Sequence, residues 1–298
     1  MINILKRIKS NKILVADGAM GTMLFARGLK PGEPPESINL KKTEILEEIA
    51  QAYLDAGAKI IQTNTFGASP LKLSDYGLQY KTEEINRIAV ERVRKVIENK
   101  AYVSGSVGPS GKLLKPFGDT EPEDIYLSFK RQMKALINAS VDLICIETMT
   151  DLNEATLAIK AAKSFSPEIP VMATMTFDET PRGFYTIMGV SIEDAIVGLQ
   201  KAGADIIGSN CGNGIENMIK IAHEFNKLTI LPIIIQSNAG IPEMKDGKLF
   251  YSETPEFFAE KTKELIDAGV SIIGGCCGTT PDYIRTIRKV VDNYIGKE

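Results

Sequence analysis

The chain has 298 residues, 44% of them hydrophobic and 24% charged, with a formal net charge of −3, a profile that fits a soluble globular protein. Its basic residues are scattered rather than striped, which argues against a nucleic-acid footprint, and no apolar run reaches the roughly 18 residues of a membrane span. Four cysteines and a single histidine argue against a disulfide scaffold and exclude any His-rich metal site.

The opening stretch "MINILKRIKSNKILVADG" has neither a long apolar core nor a small-residue cleavage site. It therefore does not read as a secretory signal, and the expected compartment is the cytosol. Short apolar runs then alternate with longer periodic segments, eight times over. The strand-like runs are "KILVAD" (12–17), "KIIQTNTF" (59–66), "AYVSGS" (101–106), "DLICIET" (142–148), "PVMATMTF" (170–177), "DIIGSNC" (205–211), "LPIIIQSN" (231–238) and "SIIGGC" (271–276). They are Ile- and Val-rich and nearly continuous in hydrophobicity, as strands buried on both faces should be.

The segments between them carry helix signals. Asp151 with Glu154 three residues on reads as a capping start, and Ser191 opens a helix that Gly203 closes. Thr254-Pro255 and Thr280-Pro281 read as N-cap and first helical residue, the former helix stopping at Gly269. His223 lies in the periodic segment "IENMIKIAHEFNK" and reads as an ordinary helix residue. The phrases "DAGAKI", "NASVDL", "KAGADI" and "DAGVSI" recur at helix-to-strand joints, which suggests a repeating βα unit. Eight such units with no linker predict a single α/β domain over 1–298, a (β/α)8 TIM barrel, with a doubly wound open sheet as the alternative. The segments 28–40 and 108–124 are long for βα loops and follow strand ends, where a barrel builds its site.

Polar residues at those strand ends are the functional candidates. Cys211 ends the sixth strand, and Cys276 and Cys277 end the eighth. Alternate strands share a barrel layer, so these three thiols can meet over the mouth and supply three corners of a tetrahedral zinc site with one position open. Plain buried thiols or a vicinal disulfide are the alternatives, because the paired C-x₂₋₄-C spacing of structural zinc is lacking. Cys145, inside "LICIET", reads as core. Asp17 and Glu147 each end an apolar run, where an unpaired carboxylate is costly without a nearby cation. Asp17 as a cap for the turn at Gly18, or Glu147 paired with a lysine or arginine, accounts for them equally well.

In that order, "DGAMGT", "QTNTFGA", "GSVGPSG", "IETM", "SNC", "SNAG" and "GGCCGTTP" resemble the homocysteine S-methyltransferase family, from about residue 12 to about residue 290. The set is most similar to the homocysteine-binding module of cobalamin-dependent methionine synthase. The resemblance implies a zinc-dependent barrel in which Cys211, Cys276 and Cys277 hold the metal and homocysteine is activated as a zinc-bound thiolate. It further implies that Asp17 and Glu147 hold the substrate ammonium, that the turn at Gly18 and Ala19 takes its carboxylate, and that Asn64 belongs to the substrate-binding set. Asn238 matches a stand-in zinc ligand that precedes the substrate. Ser237 departs from the pattern, since it stands where the family usually has proline.

Free thiols have pKa values near 8.5, and metal coordination deprotonates them outright. The implied reaction is attack by the substrate sulfur on an activated methyl group to give methionine. Three donor classes fit the family: a methyl-corrinoid, a sulfonium such as S-methylmethionine or S-adenosylmethionine, and betaine. Betaine fits worst, because a quaternary ammonium calls for an aromatic cage and the chain has no tryptophan. A methyl-corrinoid is favoured, with methylcobalamin supplied by a separate protein or by folate- and cobalamin-binding domains of a longer chain. Two rival readings remain, a non-catalytic zinc- or thiol-binding subunit and a barrel using "GGCCG" to bind phosphate.

Overall fold

The computed structural model describes residues 2–10, 13–245 and 248–296. All eight expected strands form: β1 (Leu14–Val15), β2 (Ile60–Gln62), β3 (Tyr102–Val107), β4 (Leu143–Met149), β5 (Val171–Met175), β6 (Ile206–Asn210), β7 (Ile233–Ser237) and β8 (Ile272–Gly275). Lys12, the expected start of the first strand, lies outside the described residues. The strands pair in parallel in the order β1-β8-β7-β6-β5-β4-β3-β2. A parallel bridge between Ala16 and Ile60, with Lys59 N–H donating to Val15 O at 2.7 Å, joins the two ends. The open-sheet alternative is therefore excluded, and the fold is a (β/α)8 barrel.

Its interior is packed in layers. The lower layer is Leu14, Ala16, Ile60, Tyr102, Leu143, Cys145, Met172, Ile206, Ile234 and Ile272, and the short helix Ile4–Ile8 closes it from below with Ile4 and Ile8. Tyr102 fastens this plug by donating its hydroxyl to Ile2 O at 2.7 Å. Cys145 is core, as expected. A larger apolar layer lies between the sheet and the surrounding helices; there the helices bury one stripe each, as amphipathic segments must. His223 is an exposed residue of the helix Ile215–Leu228.

The helix starts follow the sequence signals with two differences. Thr254, Ser191 and Asp151 each accept a backbone N–H from the first turn, whereas Thr280 makes no such side-chain bond. Glu154 does not complete a capping box with Asp151. Its carboxylate instead accepts both the N–H and the hydroxyl of Ser110, at 2.7 and 2.5 Å. The long loop after β3 would otherwise bury that serine amide unpaired, at the cost of a lost hydrogen bond. Two antiparallel hairpins at the barrel mouth, Asp178–Thr180 with Gly183–Tyr185 and Glu243–Lys245 with Lys248–Phe250, are additions that the strand pattern did not predict.

Candidate active site

The C-terminal ends of the strands surround a cavity of about 410 Å³. Gly18, Ala19, Gln62, Asn64, Glu147, Thr148, Gln236 and all three candidate cysteines line it, and Glu36, Phe66, Lys72 and Tyr76 line it as well. Of the predicted residues, Asp17 and Asn238 lie behind its wall, 1% and 3% exposed.

Local backbone geometry brings the thiols together. Cys211 follows β6 with φ of +61°, and Gly212 continues at +77°. Two successive left-handed residues turn the chain sharply out of the sheet, at a cost of roughly 1–3 kcal/mol for the non-glycine one. Cys211 N–H still donates to Gln236 O of β7 at 3.2 Å. The Cys276-Cys277 turn after β8 is fastened to the loop after β7: Cys276 N–H donates to Ser237 O at 2.7 Å and Ala239 N–H to Cys277 O at 2.9 Å. Ser237 thus stays in place through its carbonyl, although its hydroxyl has no partner.

As a result, the Cys211, Cys276 and Cys277 sulfurs lie within 4.8 Å of one another, a possible metal-holding group among the described residues. Cys211 Sγ and Cys277 Sγ are 3.8 Å apart. Tetrahedral zinc with Zn–S bonds of about 2.3 Å holds its sulfurs about 3.8 Å apart, so the donor set fits zinc in kind and in spacing. All four cysteines are free, so no vicinal disulfide forms. Within the cluster the thiols hydrogen-bond one another and shift one another's pKa in opposite directions. Hydrogen bonds from Cys276 and Cys277 hold Cys211 down at about 3, while the bond to Cys211 pushes Cys277 up to about 11. A divalent cation is what lets all three ionise together. The Asn238 side chain helps to lower the Cys211 pKa, and its Oδ1 has no partner.

The two acids sit beside this cluster. Asp17 Oδ2 accepts the N–H of Gln62 at 2.7 Å, and Oδ1 has no partner. The turn-capping alternative for Asp17 therefore gives way to a strand-to-strand link. Glu147 accepts the Ser106 hydroxyl, and the nearby Gln62 side chain helps to lower its pKa. Burial, reinforced by the Glu147 charge, pushes Asp17 up to about 8, and burial pushes Glu147 up to about 7. Among the described residues neither acid forms an ion pair with a lysine or arginine, so the pairing alternative for Glu147 is not observed. Two buried acids thus lie at the cavity without an ion pair among the described residues, and Asp17 Oδ1 is left without a partner.

Asn64 lines the cavity, but its amide donates to Pro35 O and Asn39 Oδ1, both at 2.8 Å, while Asn39 returns a bond to Asn64 O. Its donors fasten the long 28–40 loop to the strand end. Several site residues had no individual sequence signal. Asn210, Thr148 and Thr279 support the acids and thiols, and Gln62 donates its N–H to Asp17. Glu36 is a buried acid on the 28–40 loop whose Oε1 accepts Gly67 N–H at 2.6 Å. Tyr251 is close enough to Gly278 that a Cβ there would meet its ring at 2.4 Å. Only the strand-end position of Asn210, Thr148 and Gln62 could have flagged them.

The comparisons with known proteins agree with this geometry. The family model described as homocysteine S-methyltransferase matches residues 14–291. The chain is 30% identical over 301 residues to a methionine synthase of Mycobacterium leprae (strain TN), covering 95% of this chain and 24% of that protein. It is 31% identical over 305 residues to a methionine synthase of Mycobacterium tuberculosis (strain ATCC 25618 / H37Rv), covering 96% and 25%. It thus spans about a quarter of the length of these relatives. The metallated form of the homocysteine methyltransferase MmuM from Escherichia coli superposes with a TM-score of 0.78 at 24% identity, covering 93% of this chain and 96% of that one, which bears on the fold. The family match over nearly the whole barrel, with the thiol cluster at its mouth, places this chain in the homocysteine S-methyltransferase family.

Proposed function

We propose that this barrel is a homocysteine-binding domain over 1–298 that transfers a methyl group to homocysteine, with zinc held by Cys211, Cys276 and Cys277. The single observation that carries the reading is the meeting of three sulfurs within 4.8 Å with two buried, unpaired acids at one cavity. When bound there, zinc supplies the positive charge that turns a substrate thiol into a thiolate at neutral pH. Asp17 Oδ1 and the Glu147 carboxylate accept the substrate ammonium, whose charge answers the cost of burying both acids. The turn at Gly18 and Ala19 takes the carboxylate. Asn238, against Cys211 with a free Oδ1, is placed to stand in for the substrate. Asn64 acts indirectly, by holding the 28–40 loop against the cavity. In the transfer itself the sulfur lone pair forms the new S–CH3 bond, and the bond from methyl to donor breaks with its electrons remaining on the donor. No general base is needed for that step, which suits a chain whose only histidine is on the outer surface.

The favoured donor is a methyl-corrinoid, carried by a separate protein or by further domains. Support comes from the 30–31% identity to methionine synthases. A sulfonium donor is the second reading. It is favoured by the Glu36 carboxyl and the Phe66 and Tyr76 rings in the cavity lining, which suit a cationic small molecule. No described helix is long and apolar enough to cross a membrane.

The test is zinc-loaded protein with homocysteine and methylcobalamin, following cobalt demethylation and methionine together, then the same with S-methylmethionine. Homocysteine-dependent methionine formation that is lost in Cys276→Ser supports the reading, and the productive donor selects between the two versions. Tight zinc and homocysteine binding with neither donor used would leave a non-catalytic binding subunit. Activity that survives serine at both adjacent cysteines would favour the phosphate-loop rival.

A further inference from the structure

Asn210 is fully buried at the end of β6, one residue before Cys211. Its carboxamide makes four contacts. Oδ1 accepts the N–H of Thr148 at 2.8 Å and the hydroxyl of Thr174 at 2.6 Å. Nδ2 donates to Thr148 Oγ1 at 2.8 Å and to Cys276 Sγ at 3.8 Å. Both donor hydrogens and both acceptor sites of the amide are engaged.

The Thr148 contacts matter because of where Thr148 lies. It follows Glu147 directly and has φ of +61°, a conformation that a β-branched residue avoids. The pairing of β4 with β5 shifts register between Ile146 and Met149, so the sheet ladder does not hold this residue. Asn210 does so from the next strand but one, gripping both the amide and the hydroxyl of Thr148. The same carboxamide reaches the sulfur of Cys276 on β8.

We propose that Asn210 is a positioning residue that fixes Glu147 and the Cys276 sulfur relative to one another, so that one amide couples the ammonium-binding acid to the metal-binding thiols. The inference rests on the proposed metal and substrate reading of the cavity. Only asparagine fits all four contacts. Aspartate has the shape but loses the donor to sulfur and turns a neutral neighbour of the thiolates into a charged one. Leucine loses every contact. An N–H···S bond also draws charge off a thiolate, so its removal changes how strongly Cys276 donates to a metal.

The test uses cobalt(II) in place of zinc, because thiolate-to-cobalt absorption reports the sulfur environment directly. Wild type, Asn210→Asp and Thr148→Ala are loaded with cobalt, titrated with homocysteine and challenged with a chelator, and the metal-free proteins are melted. Asn210→Asp is expected to shift the charge-transfer band, to weaken cobalt binding about 10- to 100-fold, and to weaken homocysteine binding as well. Thr148→Ala keeps the sulfur contact and is expected to leave the cobalt spectrum unchanged while weakening homocysteine several-fold. A merely structural Asn210 would lower the melting temperature of Asn210→Asp with band, cobalt affinity and homocysteine affinity unmoved, and that result overturns the proposal. Should Asn210→Asp not fold, Thr148→Ala decides: unchanged homocysteine affinity overturns the inference, and loss with an intact cobalt spectrum supports it. A wild-type chain that shows no thiolate-to-cobalt band overturns the parent reading and this inference with it.

Discussion

The hydroxyl of Thr279 accepts the N–H of Ala19 at 3.2 Å, across 260 residues of chain. The same oxygen donates to Cys276 O at 2.7 Å. One side chain thereby ties the turn after β1 to the cysteine turn after β8, where the barrel brings first and last strands together. Thr22 Oγ1 adds a second tie by accepting Gly278 N–H at 3.1 Å, and Tyr53 OH a third, between Ala19 O at 3.2 Å and Thr279 O at 3.4 Å. The turn after β1 and the cysteine turn after β8 are one laced unit.

Thr279→Val keeps the shape and removes that hydroxyl. It leaves the part-buried Ala19 amide without its partner, a loss below the roughly 1–3 kcal/mol of a fully buried group. Zinc and homocysteine affinities are expected to fall together. Titrating each ligand by calorimetry checks this, and a loss confined to one of them would show the two turns to be independent.

Gly18→Ala probes the same unit by crowding. A Cβ at Gly18 would meet Thr279 Oγ1 at 2.7 Å and Tyr53 OH at 3.0 Å, both held by the bonds just described. Overpacking of this kind costs about 1–3 kcal/mol. The expected outcome is a lower melting temperature with a raised KM for homocysteine. A variant with wild-type KM would move the carboxylate away from this turn.

The acids predict a pH dependence. Burial holds the folded-state pKa of Asp17 at about 8 and of Glu147 at about 7, above their ordinary values of 3.8 and 4.5. Between those ordinary values and pH 7–8 the folded, substrate-free chain binds more protons than the unfolded one. Stability therefore falls as pH rises through this window. Glu147→Gln removes part of that slope, and melting curves from pH 5 to 8 check it. An ammonium ligand favours the ionised acids, so homocysteine binding should release protons, seen as a buffer-dependent heat in calorimetry.

Cys276→Ser is expected to lose zinc at stoichiometric chelator while remaining folded, since Cys276 is half-buried on the turn after β8 that lines the cavity and is not part of the apolar core. Metal analysis and circular dichroism together check this. Retained zinc would assign the metal to other residues.

The plug at the far end of the barrel predicts a purely structural effect. Ile4 is 1% exposed and closes the lower layer. Ile4→Ala should cost about 2–5 kcal/mol with zinc and homocysteine affinity unchanged, as denaturant titration and ligand binding would show.

Much of this was legible in the chain. The eight apolar runs and the capped segments between them determined the barrel, because parallel strands buried on both faces need continuous Ile and Val, and helices covering them need one apolar stripe. Strand-end position then pointed to Cys211, Cys276, Cys277, Asp17 and Glu147. Residue identity left their chemistry open, and only the family resemblance implied thiolates for a metal and carboxylates for an ammonium. What the sequence could not determine is which polar side chains serve ligand and which serve scaffold. "QTNTF" and "SNC" each present an asparagine, yet Asn64 laces a loop while Asn210 grips Thr148 and Cys276. Glu154, at helix-cap spacing from Asp151, goes instead to Ser110. Each of those choices is made by a partner 25 or more residues away in the chain, brought within hydrogen-bonding distance only when the barrel closes. Local pattern reports which groups a segment offers; closure decides which of them are already satisfied and which are left for a ligand.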